Sequence, residues 1–127
     1  PFWRDYFTIY SDGLIDLNEA PRELLVALTR TTEDSALNFV AVRAGDDGIA
    51  GSEDDYRFTD SGEVQALLGL SESEWSAISS FVTLSGTVKR IESTGRIGDF
   101  RETRVVLAEE KTVDGNTVLT PLARFRK

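Results

Sequence analysis

Apolar residues recur at helical spacing along residues 21–82, and from about Leu84 the period shortens from 3.6 to 2. Leu24, Leu25 and Leu28 form the buried stripe of a helix over residues 21–30. Pro21 suits its first position, because the missing N–H costs nothing there. Glu23 lies in the first turn, where exposed N–H groups favour negative charge. Thr31-Thr32 breaks the pattern, and Glu33 opens a second helix whose face holds Leu37, Val40 and Ala41 with Ala36 beside them. Gly45 ends it, as a residue at ease in the left-handed region. Residues 45–60 read as a structured loop. Its end, where Tyr56 and Phe58 alternate with Arg57 and Thr59, clips back onto the domain. Asp60 or Ser61 caps a third helix with Val64, Leu67 and Leu68 on its buried stripe, and Gly69 stops it. Ser71 and Glu74 form the capping box of a fourth, with Trp75 as a core anchor ahead of Ile78 and Val82.

Beyond residue 84 the alternation predicts strands. Ile91, Ser93, Gly95 and Ile97 fall on one side, and Arg90, Glu92, Thr94 and Arg96 on the other, as in a half-buried strand. Gly98-Asp99 turns the chain into a second strand over residues 101–110, and Asp114-Gly115 is a strong hairpin signal. The third strand runs from Thr117 to about Arg126, and Pro121 marks it as an edge strand or a bulged one. Before the first helix, Asp12-Gly13 is a turn and residues 14–17 a brief extended run, with another strand near residues 8–10. The expected class is therefore α+β: a helical region over residues 1–84, then an antiparallel β-meander over residues 85–127. Three strands bury too little by themselves, so the meander's apolar face needs a cover, from the helical part or from a longer parent.

The formal net charge of −8 repels phosphate backbones and anionic lipid, and is compatible with calcium, a basic protein partner or solubility alone. The 127 residues contain no Cys, His or Met. That excludes disulfides, thiol nucleophiles, histidine acid–base chemistry and most zinc sites. No apolar run is long enough to span a bilayer. The start at Pro1 reads as a segment cut from a longer chain.

Asp46, Asp47, Glu53, Asp54 and Asp55 crowd hard oxygen ligands into ten residues, with glycines that let carbonyls turn inward, the donor set calcium takes. The spacing fails the EF-hand rule, since Gly48 at the sixth position would put Arg43 at the first, and a solvated acidic loop explains the same residues without a ligand. No carboxylate pair sits in an evident apolar pocket as a glycosidase requires. Ser85 and Lys89 lie in a loop-to-strand region, not in a helical Ser-x-x-Lys setting. The glycines of Gly95-Arg96-Ile97-Gly98 read as turn and bulge residues. Phe2, Trp3, Tyr6 and Phe7 form either an interface patch or core. Lys89, Arg90, Arg96, Arg101 and Arg104 read as outward-facing strand residues.

The phrase YSDGLIDLNEAPRELLVAL, residues 10–28, resembles the DGxINxNxAPxxxLxAL segment of the type II secretion system minor pseudopilin K family. GEVQALLGLSESEWSAI resembles that family's second small helical region, and FVTLSGTVKRIESTGRIG, residues 81–98, its closing strand before a basic hairpin. The likeness covers roughly residues 6–110. It implies a small helical (SAM-like) region followed by a pilin-like sheet, with no catalysis. It implies a structural part of the periplasmic pseudopilus tip, assembled with minor pseudopilins of the I and J types. The parent would be anchored in the inner membrane by an N-terminal helix this chain lacks, and much of its inserted domain would be missing. Calcium occurs in the family, which adds weight to the acidic loop without fixing its ligands. Asp16 and Glu19 depart from the family's Asn and Thr, and Val88 and Ile91 stand where aromatic residues are usual. The same helix opening also resembles helix-hairpin-helix DNA-binding modules. Those need a Gly-hydrophobic-Gly hairpin whose N–H groups meet phosphate, and residues 28–32 supply none.

Overall fold

The apolar phasing of the first part closes four helices and two short strands into one unit, Gly13–Ser85. The structure is a computed structural model and describes Tyr10 and residues 12–127. The strand expected near residues 8–10, except Tyr10, and the aromatic patch of Phe2, Trp3, Tyr6 and Phe7 lie outside the described residues. The chain is of the α+β class. Its second unit contains the three strands between Gly86 and Lys127. Among the described residues no helix is long and apolar enough to cross a membrane.

In the first unit, β1 (Ile15–Asp16) leads through a turn into α1 (Arg22–Thr29). Pro21 is the N-cap itself, with extended backbone, one position earlier than the sequence suggests. Helix α1 ends on Arg30 at φ 55, a left-handed residue where glycine is usual. The Thr31 hydroxyl donates to the Leu68 carbonyl and ties that corner to the end of a later helix. α2 (Glu33–Arg43) is capped by Thr32, whose hydroxyl accepts the Ser35 N–H at 3.1 Å. α3 (Ser61–Leu68) is capped by the Asp60 carboxylate on the Glu63 N–H at 2.9 Å. α4 (Glu72–Ile78) has the expected capping box: Glu74 accepts the Ser71 N–H at 2.8 Å, and the Ser71 hydroxyl accepts the Glu74 N–H.

The core of this unit gathers Leu17, Leu25, Phe39, Phe58, Val64 and Leu68, with Trp75 packed at its rim. Phe39 and Phe58 stack with centroids 4.5 Å apart and planes 15° from parallel, and Tyr56 meets Phe58 edge-on at 5.0 Å. The face assigned to α2 needs correction. Ala36 and Phe39 are buried and Val40 packs on the core, while Leu37 is 55% exposed. α2 carries apolar residues on both sides, so its sequence alone does not pick the inner one. β2 (Val82–Thr83) pairs in parallel with β1, Ile15 opposite Val82 and Asp16 opposite Thr83. Nothing in the local pattern announces this pair, because its strands are two residues long and almost seventy apart.

In the second unit, β3 (Val88–Ile97), β4 (Phe100–Val113) and β5 (Asn116–Arg126) form an antiparallel meander in the order β3-β4-β5. Asp114 and Gly115 both take positive φ, 51 and 77, as the tight two-residue hairpin demands. Pro121 resolves as both alternatives at once. β5 lies at one side of this sheet, and the register shifts there, Leu107 pairing with Ala123 but Ala108 with Pro121, which leaves Leu122 unpaired. β3 is more exposed than half-buried: past Lys89 every residue in it is exposed. Among apolar residues of the meander, only Val105 and Ala108 are buried.

Candidate functional site

The turn between β1 and α1 brings the side chains of Asp16, Asn18, Glu19, Arg43 and Arg57 to one place. Asp16 Oδ1 accepts the Asn18 N–H at 2.9 Å, an Asx turn that curls the chain after the strand. This points the Asn18 side chain inward, where only 6% of the residue is exposed. Asn18 Nδ2 donates to the carbonyls of Phe58 and Leu84, both at 3.0 Å, and Asn18 Oδ1 accepts the Phe58 N–H at 2.8 Å. One amide thus ties three distant segments: the turn, the end of the acidic loop and the chain after β2. Arg43, half-buried at the end of α2, donates from Nη1 to the carbonyls of Leu17 and Ala20, both at 2.9 Å. Burial holds its guanidinium below its ordinary pKa, opposed by Glu19, Asp16 and Asp55. Asp16 Oδ2 pairs with Arg57 at 3.1 Å, and Glu19 lies 3.5 Å from the same guanidinium. The Asp16 carboxylate therefore makes an ion pair that an amide at this position could not.

The acidic loop folds around its own donors. Asp54 Oδ2 accepts the N–H groups of Asp46 at 2.8 Å and Asp47 at 3.1 Å, and Asp54 Oδ1 accepts the Ser52 hydroxyl. Asp47 Oδ1 accepts the Ile49 N–H at 2.7 Å, and Asp55 Oδ2 accepts the Gly51 N–H at 2.7 Å. The Ser52 hydroxyl, then the Asp47 N–H, hold the Asp54 carboxyl below its usual pKa range. A carboxylate so depressed stabilises the loop above its unfolded pKa, and that contribution is lost as pH falls through the folded value. The carboxylates of Asp47, Asp54 and Asp55 accept these bonds, Asp46 contributes only its N–H, Glu53 joins none of them, and all five residues are exposed. Among the described residues no group of three or more such side chains is arranged to hold a metal ion. Phe58 is fully buried and the Tyr56 N–H donates to the Arg43 carbonyl at 3.0 Å, so the loop's end does clip back onto the unit.

Gly45 is the loop's tightest point. Its φ is +67, and a Cβ there would lie 2.5 Å from the Asp54 carbonyl oxygen and 2.6 Å from Asp54 Oδ2. Gly48 has the same φ with open space around it. Gly48→Ala is expected to cost about 1 kcal/mol from strain alone, and Gly45→Ala about 2–3 kcal/mol because the Asp54 backbone must also move. Urea unfolding followed by helical circular dichroism checks both, since all the described helices lie in this unit; equal losses would show that the close approach is unimportant.

Sequence reasoning overlooked Asn18, Arg43 and the Phe39–Phe58 stack. The Asp-Leu-Asn turn ahead of Pro21 was the available signal for Asn18, while Arg43 and the stack have no local one. In the meander, a shallow recess of about 240 Å³ is lined by Arg104, Val105, Val106, Arg124, Phe125 and Arg126.

These features define an α+β chain with a hydrogen-bonded helical unit and an open meander. Comparison with protein families, curated proteins and solved structures finds no match to it.

Proposed function

We propose that the chain is a non-enzymatic structural part of a pseudopilus-like assembly at the bacterial periplasmic tip, held by contacts with minor pseudopilins of the I and J types. The observation that supports this reading is how the residues carrying the family resemblance are used. Leu17 and Ala20 are buried, Asn18 bridges three segments, and Pro21 caps α1. Each is occupied by folding and none is presented to a substrate. On this reading the meander belongs to a pilin-type sheet, the helical unit is SAM-like, and the parent protein reaches the inner membrane through a preceding helix.

Co-purification with I- and J-type minor pseudopilins tests the assignment. The folded chain, extended to its parent's whole periplasmic domain, is expected to enter a ternary complex that survives gel filtration. Failure to do so with helical circular dichroism intact would sink it. The helix-hairpin-helix alternative predicts salt-dependent DNA binding at micromolar protein, and the acidic charge opposes it. Calcium at Asp46, Asp47, Glu53, Asp54 and Asp55 has its own check. A cation bound only to the native state raises the melting temperature in calcium above that in EDTA. Coincident curves would remove the metal and leave the assembly role standing.

A further inference from the structure

We propose that the face of the meander carrying Arg104, Arg124 and Arg126 is a docking surface for an acidic, extended segment of a partner protein. The register places Arg104 opposite Arg126, with Val106 opposite Arg124 in the next row of the same face. Like charges directly opposite one another on a sheet are destabilising. One carboxylate, Glu102, answers two of them, 2.6 Å from Arg104 Nε and 3.7 Å from Arg126 Nε. Arg124 has no ion pair among the described residues. The side chains of Arg104 and Arg126 are 62% and 71% exposed, so water now supplies the missing solvation. The row is continued on β3 by Ile91, opposite Val106 and 42% exposed. Arginine is enriched at protein interfaces relative to the rest of the surface.

The charge distribution says what kind of partner this surface takes. Residues 86–127 hold nine Lys or Arg against six Asp or Glu, a surplus of three positive charges in a chain of net charge −8. Gly13–Ser85 holds four Arg against fourteen Asp or Glu. Basic charge is thus gathered on the meander of an otherwise acidic protein, which favours carboxylates. Arg124 and Arg126 are two residues apart on β5 and share a face, about 7 Å apart at the rise of a strand. Carboxylates on alternate residues of an extended segment repeat at that same spacing, and each can take a guanidinium in a forked pair. The densest acidic stretch of this chain, residues 46–55, is folded into a tight loop with Asp47, Asp54 and Asp55 bonded to its own N–H groups. It does not offer such a segment, so the occupant is another protein and not a second copy. The surface stands on the sheet's register and charge, apart from the family reading, so each can fail without the other.

Isotope-labelled full chain titrated with the peptide Glu-Thr-Glu-Thr-Glu-Thr-Glu, followed by amide NMR, tests it. Shifts are expected to concentrate at residues 91, 104–106 and 124–126, to weaken with salt, and to be absent with the Lys-for-Glu peptide. Arg124→Gln, which removes no ion pair among the described residues, is expected to weaken binding about fivefold with melting unchanged, and Arg124→Lys to keep part of the affinity. Any of four results would overturn the proposal: no shifts at those residues with millimolar peptide, equal shifts with inorganic phosphate, tighter binding there of a single-stranded oligonucleotide, or self-association of the chain that Arg124→Gln abolishes.

Discussion

Asn18→Leu is expected to destabilise the helical unit by about 3–5 kcal/mol, because it leaves the Phe58 N–H and the Phe58 and Leu84 carbonyls without their partner. Each of these bonds spans at least forty residues, so each is lost with a contact between segments and not with a local turn. The leucine has similar volume, so the loss reports on polar satisfaction more than on packing. Asn18→Asp separates the two halves of the amide. A carboxylate still accepts the Phe58 N–H but faces two carbonyl oxygens with no donor. Burial and those carbonyls would raise its folded pKa above the unfolded value. Such a group gives the folded state its greatest advantage below the unfolded pKa, and that advantage is lost as pH rises through the folded one. Asn18→Asp is therefore expected to approach the parent protein in stability near pH 4 and to fall away toward pH 7. A pH-independent deficit would mean that the side chain is not enclosed as described.

Phe39→Ala and Phe58→Ala carry the other large effect. Both rings are fully buried, and removal of either is expected to cost about 3–5 kcal/mol, the transfer of the ring plus the cavity it leaves. The stacked geometry adds a coupling of about 0.5–1.5 kcal/mol, so the double variant should lose less than the sum of the singles by that amount. Urea unfolding monitored at the helical circular dichroism band measures all three. Strict additivity would show that the rings act as separate fillers. Phe58 joins the two effects, since its ring fills the core while its backbone is held by Asn18. Asn18→Leu and Phe39→Ala should accordingly be non-additive although the two residues belong to different elements.

What the sequence made legible was local chemistry. Asp60 and Ser71 declare their helices because a side-chain oxygen placed just before an apolar repeat has one obvious use. Asp114-Gly115 declares its hairpin because few residue pairs accept two positive φ values. Long-range satisfaction of polar groups was hidden. Nothing near Asn18 names Phe58 or Leu84, and nothing near Ile15 names Val82. The inner side of α2 is hidden because Leu37 is as apolar as Phe39, and the stacking of Phe58 from the loop on Phe39 marks which side faces inward. In the acidic loop the five carboxylates are visible, but the N–H donors that Asp47, Asp54 and Asp55 find follow from turn geometry that composition does not carry. The same limit applied to the arginines of the meander. Arg104 stood among outward-facing residues, and its opposition to Arg126 exists only once β4 and β5 have a register.

The assembly role proposed for the chain presupposes that residues 12–21 form a joint that closes the helical unit. Native-state hydrogen exchange at the Phe58 amide tests that claim most directly. This N–H ends on Asn18 Oδ1 and on no backbone group, so its protection reports on that one side chain. The amide is expected to exchange as slowly as those of Leu25 and Phe39, with the same denaturant dependence, and to lose that protection in Asn18→Leu. A Phe58 amide that exchanges as fast as that of exposed Glu53, while Phe39 remains protected, would contradict the account.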